Sequence, residues 1–193
     1  MRYSLTGLLT LVLCCSVCAQ AKYEREFRIK KSQFPAASYE IAAPYLEGVR
    51  KLRFYKEIDS SRQTYEIKFK RDKLHYSVEF SDRNVLEDIE VRIKPLDIPD
   101  DSFATIEAYL EKEFTKYKVR KIRQQYPGNA FSSTEETFRN AYQNLILPEI
   151  RYELIVHGKA AEGSLDYEIL FDSQGQFLQQ RKSLPANYDH VLY

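Results

Sequence analysis

The sequence predicts an α+β fold made of two tandem repeats, each a helix packed on an antiparallel sheet of about four strands. A short aromatic pattern occurs twice: Tyr76-Ser77-Val78-Glu79-Phe80 is followed by Asn84 and Leu86, and Tyr167-Glu168-Ile169-Leu170-Phe171 is followed by Gly175 and Phe177. Each copy comes after an earlier aromatic strand pattern, at residues 65–69 and 152–156. This shared order indicates one unit used twice.

The chain begins with a predicted secretory leader, residues 1–21. Arg2 precedes an apolar run from Leu5 to Val17, and the small-residue site Ala19-Gln20-Ala21 ends the segment. The run is shorter than the roughly 20 residues that cross a membrane, so we expect cleavage near Ala21, no stable membrane anchor afterwards, and a periplasmic or secreted location. A retained anchor, or lipid attachment at one of the leader cysteines, is the alternative. All three cysteines lie in the leader, so the mature chain is predicted to contain no disulfide.

The first repeat is predicted over residues 22–95. Residues 26–30 alternate as a short strand does, and residues 35–47 place apolar side chains at helical spacing, with Pro44 marking a break near the end. Four alternating strand segments follow, at 50–58, 62–70, 74–81 and 86–94. The first repeat therefore reads as a helix followed by an antiparallel meander.

The second repeat is predicted over residues 96–183, and a tail covers 184–193. Asp100-Asp101-Ser102 supplies a cap and an acidic first turn for a helix that reaches Phe114, and strands are predicted at 117–125, 150–157, 165–172 and 176–182. An insertion at 126–148 interrupts this repeat, and a helix cap at Ser133 predicts a short helix, packed on the sheet edge or reaching toward a partner. After the last Phe of each aromatic pattern, Asn84 and Gly175 are predicted to adopt left-handed backbone at one type of turn.

Alternation along the strands predicts which side chains face the core and which face outward. The residues predicted to face the core are Tyr65, Ile67, Phe69, Tyr76, Val78, Phe80, Tyr152, Leu154, Val156, Tyr167, Ile169 and Phe171. The opposite face carries charged side chains, which we expect to be solvated, and in the second repeat it also carries Ile155 and Leu170. Those two need cover from a neighbouring element or from a partner protein.

The residue inventory favours a protein that is not an enzyme. The three histidines, His75, His157 and His190, lie in no recognisable catalytic motif, and no spacing fits a zinc site, a calcium loop or a phosphate loop. We therefore expect no catalytic residues, no metal and no cofactor. There are 29 basic residues, one of them Arg2 in the leader, and 28 acidic ones, so the mature chain is balanced and nucleic-acid binding is not expected.

Several of these motifs together resemble the PepSY-like family. They are the helix that begins at Phe34-Pro35, the strands Tyr-Glu-Ile-Lys-Phe at 65–69 and Tyr-Glu-Ile-Leu-Phe-Asp at 167–172, and the glycine turn before Phe177-Leu178. The tandem form is similar to β-lactamase-inhibitor-like periplasmic proteins of the Bacteroidetes type, over about residues 24–183. The resemblance implies a repeated α/β unit used as an exported binding or inhibitory module without catalytic residues. Asn84 in place of a turn glycine and the 126–148 insertion depart from the family pattern.

The function expected from the sequence is that of an exported, non-enzymatic binding module for a protein or peptide, such as an inhibitor of an exported enzyme. The candidate partner-binding residues are Ile155 and Leu170 on the outer face of the second repeat, and Phe138 and Tyr142 on the insertion helix. The alternative is a carrier of a small lipid-like ligand, held in an aromatic pocket between helix and sheet. The sequence leaves open whether the repeats form one continuous sheet or two domains.

Overall fold

The computed structural model describes residues 21–22, 24–59, 62–161 and 163–183. The predicted leader, apart from Ala21, and the predicted tail at 184–193 lie outside the described residues. The strands are β1 Ala21–Lys22, β2 Glu24–Ile29, β3 Arg50–Asp59, β4 Arg62–Arg71, β5 Leu74–Ser81, β6 Leu86–Ile93, β7 Lys116–Pro127, β8 Arg151–Ala160, β9 Gly163–Asp172 and β10 Phe177–Ser183. The α-helices are α1 Ala36–Ala42, α2 Asp100–Glu113 and α3 Thr134–Tyr142.

The strands form one continuous sheet in the order β1-β10-β9-β8-β7-β6-β5-β4-β3-β2. Strands β2 to β10 are a nine-stranded antiparallel meander, and the two-residue β1 adds to β10 in parallel. The prediction of two tandem helix-on-sheet repeats is therefore wrong. The expected boundary at residue 95 does not interrupt the sheet, because β6 pairs with β7 from Asp88↔Pro127 to Ile93↔Ile122.

The sheet curls so that its two ends approach each other. Lys22 pairs with Ser183 of β10 at one end, whereas Glu24, two positions later in the chain, pairs with Asp59 of β3 near the other end. Two residues span at most about 7 Å of extended chain, so the ends of the sheet lie within that reach. Register shifts interrupt the pairing of β3, β7 and β10 with their neighbours, and such bulges bend a strand and increase its twist.

The apolar face of the sheet carries the three helices. The residues predicted to face the core are buried there, except that Tyr65 is half-buried. α1 contacts the sheet through Tyr39, whose ring centroid lies 6.1 Å from that of Phe54. At the other end, α2 packs Tyr109 edge-on against Phe171 at 5.4 Å. Aromatic pairs of this geometry stabilise a core beyond the area that they bury.

The insertion at 126–148 forms α3, which lies over the middle of the apolar face rather than at the sheet edge. Ser133 caps this helix by accepting a hydrogen bond from the Glu136 amide, as the sequence predicts. Phe138 is 0% exposed and stacks on Tyr45, with ring centroids 3.9 Å apart. Tyr142 packs edge-on against Tyr76 of β5. The insertion therefore fills the space between the segments that α1 and α2 cover.

Both predicted left-handed turn positions are confirmed, with φ of 61° at Asn84 and 77° at Gly175. Gly175 also lies against α2, because a Cβ atom built on it would stand 2.2 Å from the carbonyl oxygen of Ser102. An L side chain at this position would therefore meet both an unfavourable backbone conformation and a fixed backbone atom.

We expect Gly175→Ala to lower the free energy of unfolding by about 2 kcal/mol or more, because both penalties apply. Gly48→Ala is the matched control, since Gly48 has φ of 70° but no atom within 4 Å of the added Cβ. The control is expected to cost about 1 kcal/mol, the conformational penalty alone. Urea unfolding of the two variants measures the difference, and equal losses would show that the turn does not press on α2.

Candidate functional site

The polar side chains of the strands line the inside of the curled sheet, on the side away from the helices. A cavity of about 570 Å³ on this side is bounded by Glu26 and Glu57 near one end of the sheet and by Leu170 and Arg181 near the other. Ten carboxylates and six lysine or arginine side chains line it. We call this surface the charged face.

Arg123 on β7 ties three neighbouring strands together at the centre of the charged face. Its guanidinium donates to Glu90 of β6 at 2.6 Å and pairs with Glu153 of β8 at 2.7 Å. Burial would lower the pKa of Arg123, but the two carboxylates outweigh that effect and raise it well above its ordinary value. Arg123 therefore stays charged and balances two buried carboxylates.

Lys68 on β4 holds a second cluster of carboxylates. Its ammonium lies 2.6 Å from Glu26 and 2.8 Å from Glu66, and Ser77 donates a further hydrogen bond to Glu66. The carboxylates of Glu26, Glu57 and Glu66 have oxygens within 4.8 Å of one another, a spacing that could hold a metal ion. Because Lys68 already supplies a cation to two of the three, we assign no metal to this cluster.

A row of acidic side chains crosses β4, β5 and β6 beside these ion pairs. Glu66, Glu79 and Asp88 are consecutive cross-strand partners. Burial, followed by the charges of Glu90, Glu66 and Glu87, raises the pKa of Glu79 to about 7, although a hydrogen bond from Thr64 opposes the shift. Burial and the charges of Glu79, Glu90 and Glu153 also raise the pKa of Asp88 well above its ordinary value.

These raised pKa values predict that the folded protein loses stability as pH rises. Glu79 has an ordinary pKa of 4.5 and a folded pKa of about 7. Between these values the folded chain holds a proton that the unfolded chain has released, so the free energy of unfolding falls with increasing pH. The stabilising proton is fully present below about pH 4.5 and lost above about pH 7.

We therefore expect Glu79→Gln to stabilise the protein by about 2 kcal/mol at pH 8 and to flatten the fall in stability between pH 4.5 and 7. Glu111→Gln, on the exposed side of α2, is the control and should change neither quantity by more than about 0.5 kcal/mol. Thermal unfolding at several pH values measures both. A Glu79→Gln variant that loses stability at pH 8 would contradict the assignment.

The expectation of a solvated outer face is wrong for its central carboxylates. Glu66 and Glu90 are each 5% exposed, and Glu153 is 8% exposed. Alternation along the strands correctly placed Glu66 and Glu153 opposite the core, but the curl of the sheet and the ion pairs remove these carboxylates from solvent. Opposite charges two residues apart, as in Glu66 and Lys68, were the signal in the sequence for this network.

Two of the predicted partner-binding residues lie on the charged face. Leu170 is half-buried and lines the large cavity, and Ile155 is half-buried between its cross-strand partners Lys121 and Glu168. All three described α-helices lie on the apolar face, so none of them covers these two side chains. Their role in partner binding stays a prediction.

The other two predicted residues lie on the opposite side of the sheet. Both residues belong to α3. Phe138 is buried, and Tyr142 is half-buried, with its hydroxyl donating a hydrogen bond to the carbonyl oxygen of Tyr45 at 2.6 Å. The guanidinium of Arg71 stands 4.3 Å above the Tyr142 ring. The structure therefore does not bring the four predicted residues together, because the sheet separates the two pairs.

The two described histidines lie apart on the charged face, and His190 lies outside the described residues. His157 Nδ1 is 2.6 Å from a carboxylate oxygen of Asp166, and Arg120 approaches the same oxygen at 3.7 Å. His75 is exposed among lysines and arginines, which lower its pKa after the effect of desolvation. The absence of catalytic residues stays a prediction from the sequence.

Comparison with solved structures places this fold among proteins from Bacteroides. The chain is similar to a protein from Bacteroides eggerthii that is provisionally assigned to the periplasm, with 14% identity, 77% of this chain and 88% of that chain covered, and a TM-score of 0.51. It is also similar to a DUF2874 family protein from Bacteroides ovatus, with 10% identity and a TM-score of 0.51, and the alignment covers 82% of this chain and 94% of that chain. A BLIP-like protein from Bacteroides fragilis aligns with 10% identity and a TM-score of 0.49, and the alignment covers 83% of this chain and 92% of that chain.

These likenesses concern the fold alone, because the identities are low. The chain matches no protein-family profile and no curated protein sequence. The fold agrees with the expected likeness to periplasmic proteins of the Bacteroidetes type, whereas the PepSY resemblance gains no support. Among the residues that the structure describes, no helix has both the length and the apolar character needed to cross a membrane.

Proposed function

We propose that the protein is an exported, non-enzymatic binding module that receives another protein or a peptide on its charged face. The observation that carries the proposal is the large concave cavity, lined by strands from both ends of the sheet and left uncovered by the three helices. The fold shared with a Bacteroides protein provisionally assigned to the periplasm supports export. Restraint of an exported enzyme is one form that such binding would take.

The buried carboxylates of the charged face lower the stability of the folded chain, and this also supports a binding role. Burial, and then the charges of neighbouring carboxylates, raises the pKa values of Glu79 and Asp88, so their ionised forms are unfavourable in the folded chain. Groups with shifted pKa values concentrate at functional sites, and a bound partner with complementary charge would reduce the repulsion among these carboxylates. A purely structural sheet face would be more stable with fewer buried acids.

The alternative, a small-ligand carrier with a pocket between helix and sheet, has less support. That space is occupied by ring contacts, including Phe34 with Phe54 at 5.2 Å and Phe114 with Tyr167 at 4.9 Å. A carrier of this type would need its helices to stand off the sheet. Native mass spectrometry of freshly isolated protein distinguishes the two hypotheses, because a carrier should retain a small molecule.

A pull-down from periplasmic extract tests the proposal. The immobilised mature protein is expected to capture a specific partner. The double variant Leu170→Arg and Gln179→Arg should capture at least about ten-fold less, because both residues line the cavity and added positive charge there opposes a partner that complements its carboxylates. Ala108→Arg with Gln143→Arg is the control of equal charge change at exposed positions of α2 and at the end of α3. No partner under several salt conditions, or equal capture by both variants, would overturn the proposal.

A further inference from the structure

One end of the charged face is basic, in contrast to the acidic large cavity. A pocket of about 270 Å³ is lined by seven lysine or arginine side chains and by one carboxylate, that of Glu90. We call it the basic pocket and define it by the six residues Lys51, Arg53, Lys70, His75, Arg92 and Lys121. These side chains come from five consecutive strands, β3 to β7.

The cations of the basic pocket have no anionic partner within the described part of the chain. Glu90 is already paired with Arg123, and Lys68, which also lines the pocket, is paired with Glu26 and Glu66. The remaining five lysines and arginines form no ion pair among the described residues. Desolvation lowers the pKa of His75, and the charges of Lys70, Arg92, Lys51 and Lys121 lower it further, as expected beside a cluster of cations.

Two irregularities of the sheet lie at this pocket. The β3–β4 pairing shifts register between Arg50 and Arg53, where Lys51 has the left-handed φ of 57°. The β7–β8 pairing shifts between Val119 and Lys121. Bulges redirect side chains. A lysine with positive φ inside a strand, outside a turn, is in an unfavourable conformation, and such conformations cluster at functional sites. Both bulges place basic side chains in the same pocket.

We propose that the basic pocket binds a carboxylate-bearing segment of the partner, one or two clustered aspartate or glutamate side chains. This inference rests on the proposed function and adds the chemistry of the partner. The volume of about 270 Å³ is below that of a typical small-molecule site, roughly 300–1,000 Å³, and suits side chains inserted from a larger partner. The adjacent acidic cavity takes a basic part of the same partner, so the partner surface carries both charges side by side.

Binding of short peptides to the mature protein, followed by amide NMR, tests this inference. An acetylated tetraglutamate is expected to shift the resonances of Lys70, His75 and Arg92, and raising the salt from about 20 to 200 mM should weaken its binding several-fold. Tetralysine should leave those resonances unchanged. The double variant Arg92→Gln and Lys121→Gln should bind tetraglutamate about ten-fold more weakly, and Lys112→Gln with Lys116→Gln, the control, should bind it as the wild type does.

Three results would overturn the inference. They are the absence of shifts at the basic pocket, equal loss of binding in the control variant, and inorganic phosphate binding at least as tightly as the peptide, which would make the pocket a site for small oxyanions. Lys51→Gly offers a second variant that keeps the backbone conformation, and it too should weaken tetraglutamate binding. If the pull-down captures a partner that the Arg92 and Lys121 double variant binds equally well, the inference fails while the proposed function stands.

Discussion

Replacing Arg123 by methionine is expected to lower the free energy of unfolding by about 3–5 kcal/mol at neutral pH. The substitution keeps the length and packing of the side chain but leaves Glu90 and Glu153, each less than a tenth exposed, without their shared cation. Uncompensated buried charges are among the few single changes with so large an effect. Chemical denaturation at pH 7.5 measures the loss.

The pH dependence and a compensating variant test the reason for that loss. Without Arg123 buried negative charge is left unbalanced, and protonation at low pH removes such charge, so the loss is expected to shrink as pH falls toward 5. Adding Glu90→Gln and Glu153→Gln to the variant should restore most of the stability, because no buried charge is left unpaired. Arg151→Met, on the exposed rim of the same face, is the control and should cost less than about 1 kcal/mol. A loss that is independent of pH and not restored would contradict the ion-pair explanation.

Phe138→Ala is expected to cost about 3–5 kcal/mol, the range for truncating a fully buried aromatic side chain. Its ring is 0% exposed and stacks on Tyr45, which follows α1, so the change leaves a cavity under the middle of the helical layer. Ile146→Ala in the same insertion is the control, because Ile146 is 53% exposed and should contribute under about 0.5 kcal/mol. Urea unfolding measures both variants. Equal, small losses of stability would mean that the insertion does not contribute to the core and that Phe138 is accessible to a partner.

The sequence predicted the individual strands well, because strict alternation of apolar and polar residues is a strong local signal. The segment predicted at 74–81 is β5 with the same bounds, and that at 165–172 is β9, beginning at Gly163. Pro44 marks the end of α1, as expected, because the chain continues there as a 3-10 turn. The left-handed turns at Asn84 and Gly175 also followed from residue type alone.

The joining of the two halves could not be predicted from the same signal. Backbone groups form the hydrogen bonds between β6 and β7. Because every residue type has these groups, the sequence does not show which two strands pair. The local repeat of helix and strand patterns therefore suggested two units, whereas β7, twelve residues long, pairs on both of its sides. The repeated pattern of residues therefore does not correspond to two separate units, because the fold is one sheet.

The charged face also could not be predicted from the sequence. Alternation of apolar and polar residues shows which side chains share a face of the sheet, but it does not show how the sheet curves. Glu66, Lys68 and Glu79 were correctly placed opposite the core, and only the curl of the sheet brings them near residues of β8 to β10 such as Leu170. The bulges that shape this curl depend on tertiary pairing. The basic pocket draws one or two residues from each of five strands, so no local run of sequence reveals it.

Site-specific photo-crosslinking in the exporting cell tests most directly that the charged face receives a partner. A photoreactive amino acid at Leu170, inside the large cavity, is compared with one at Leu96, which is 79% exposed and does not line that cavity. We expect a discrete covalent adduct with one protein at position 170 and none at position 96. Adducts at position 96 but not at 170, or none at either position, would contradict binding at the charged face.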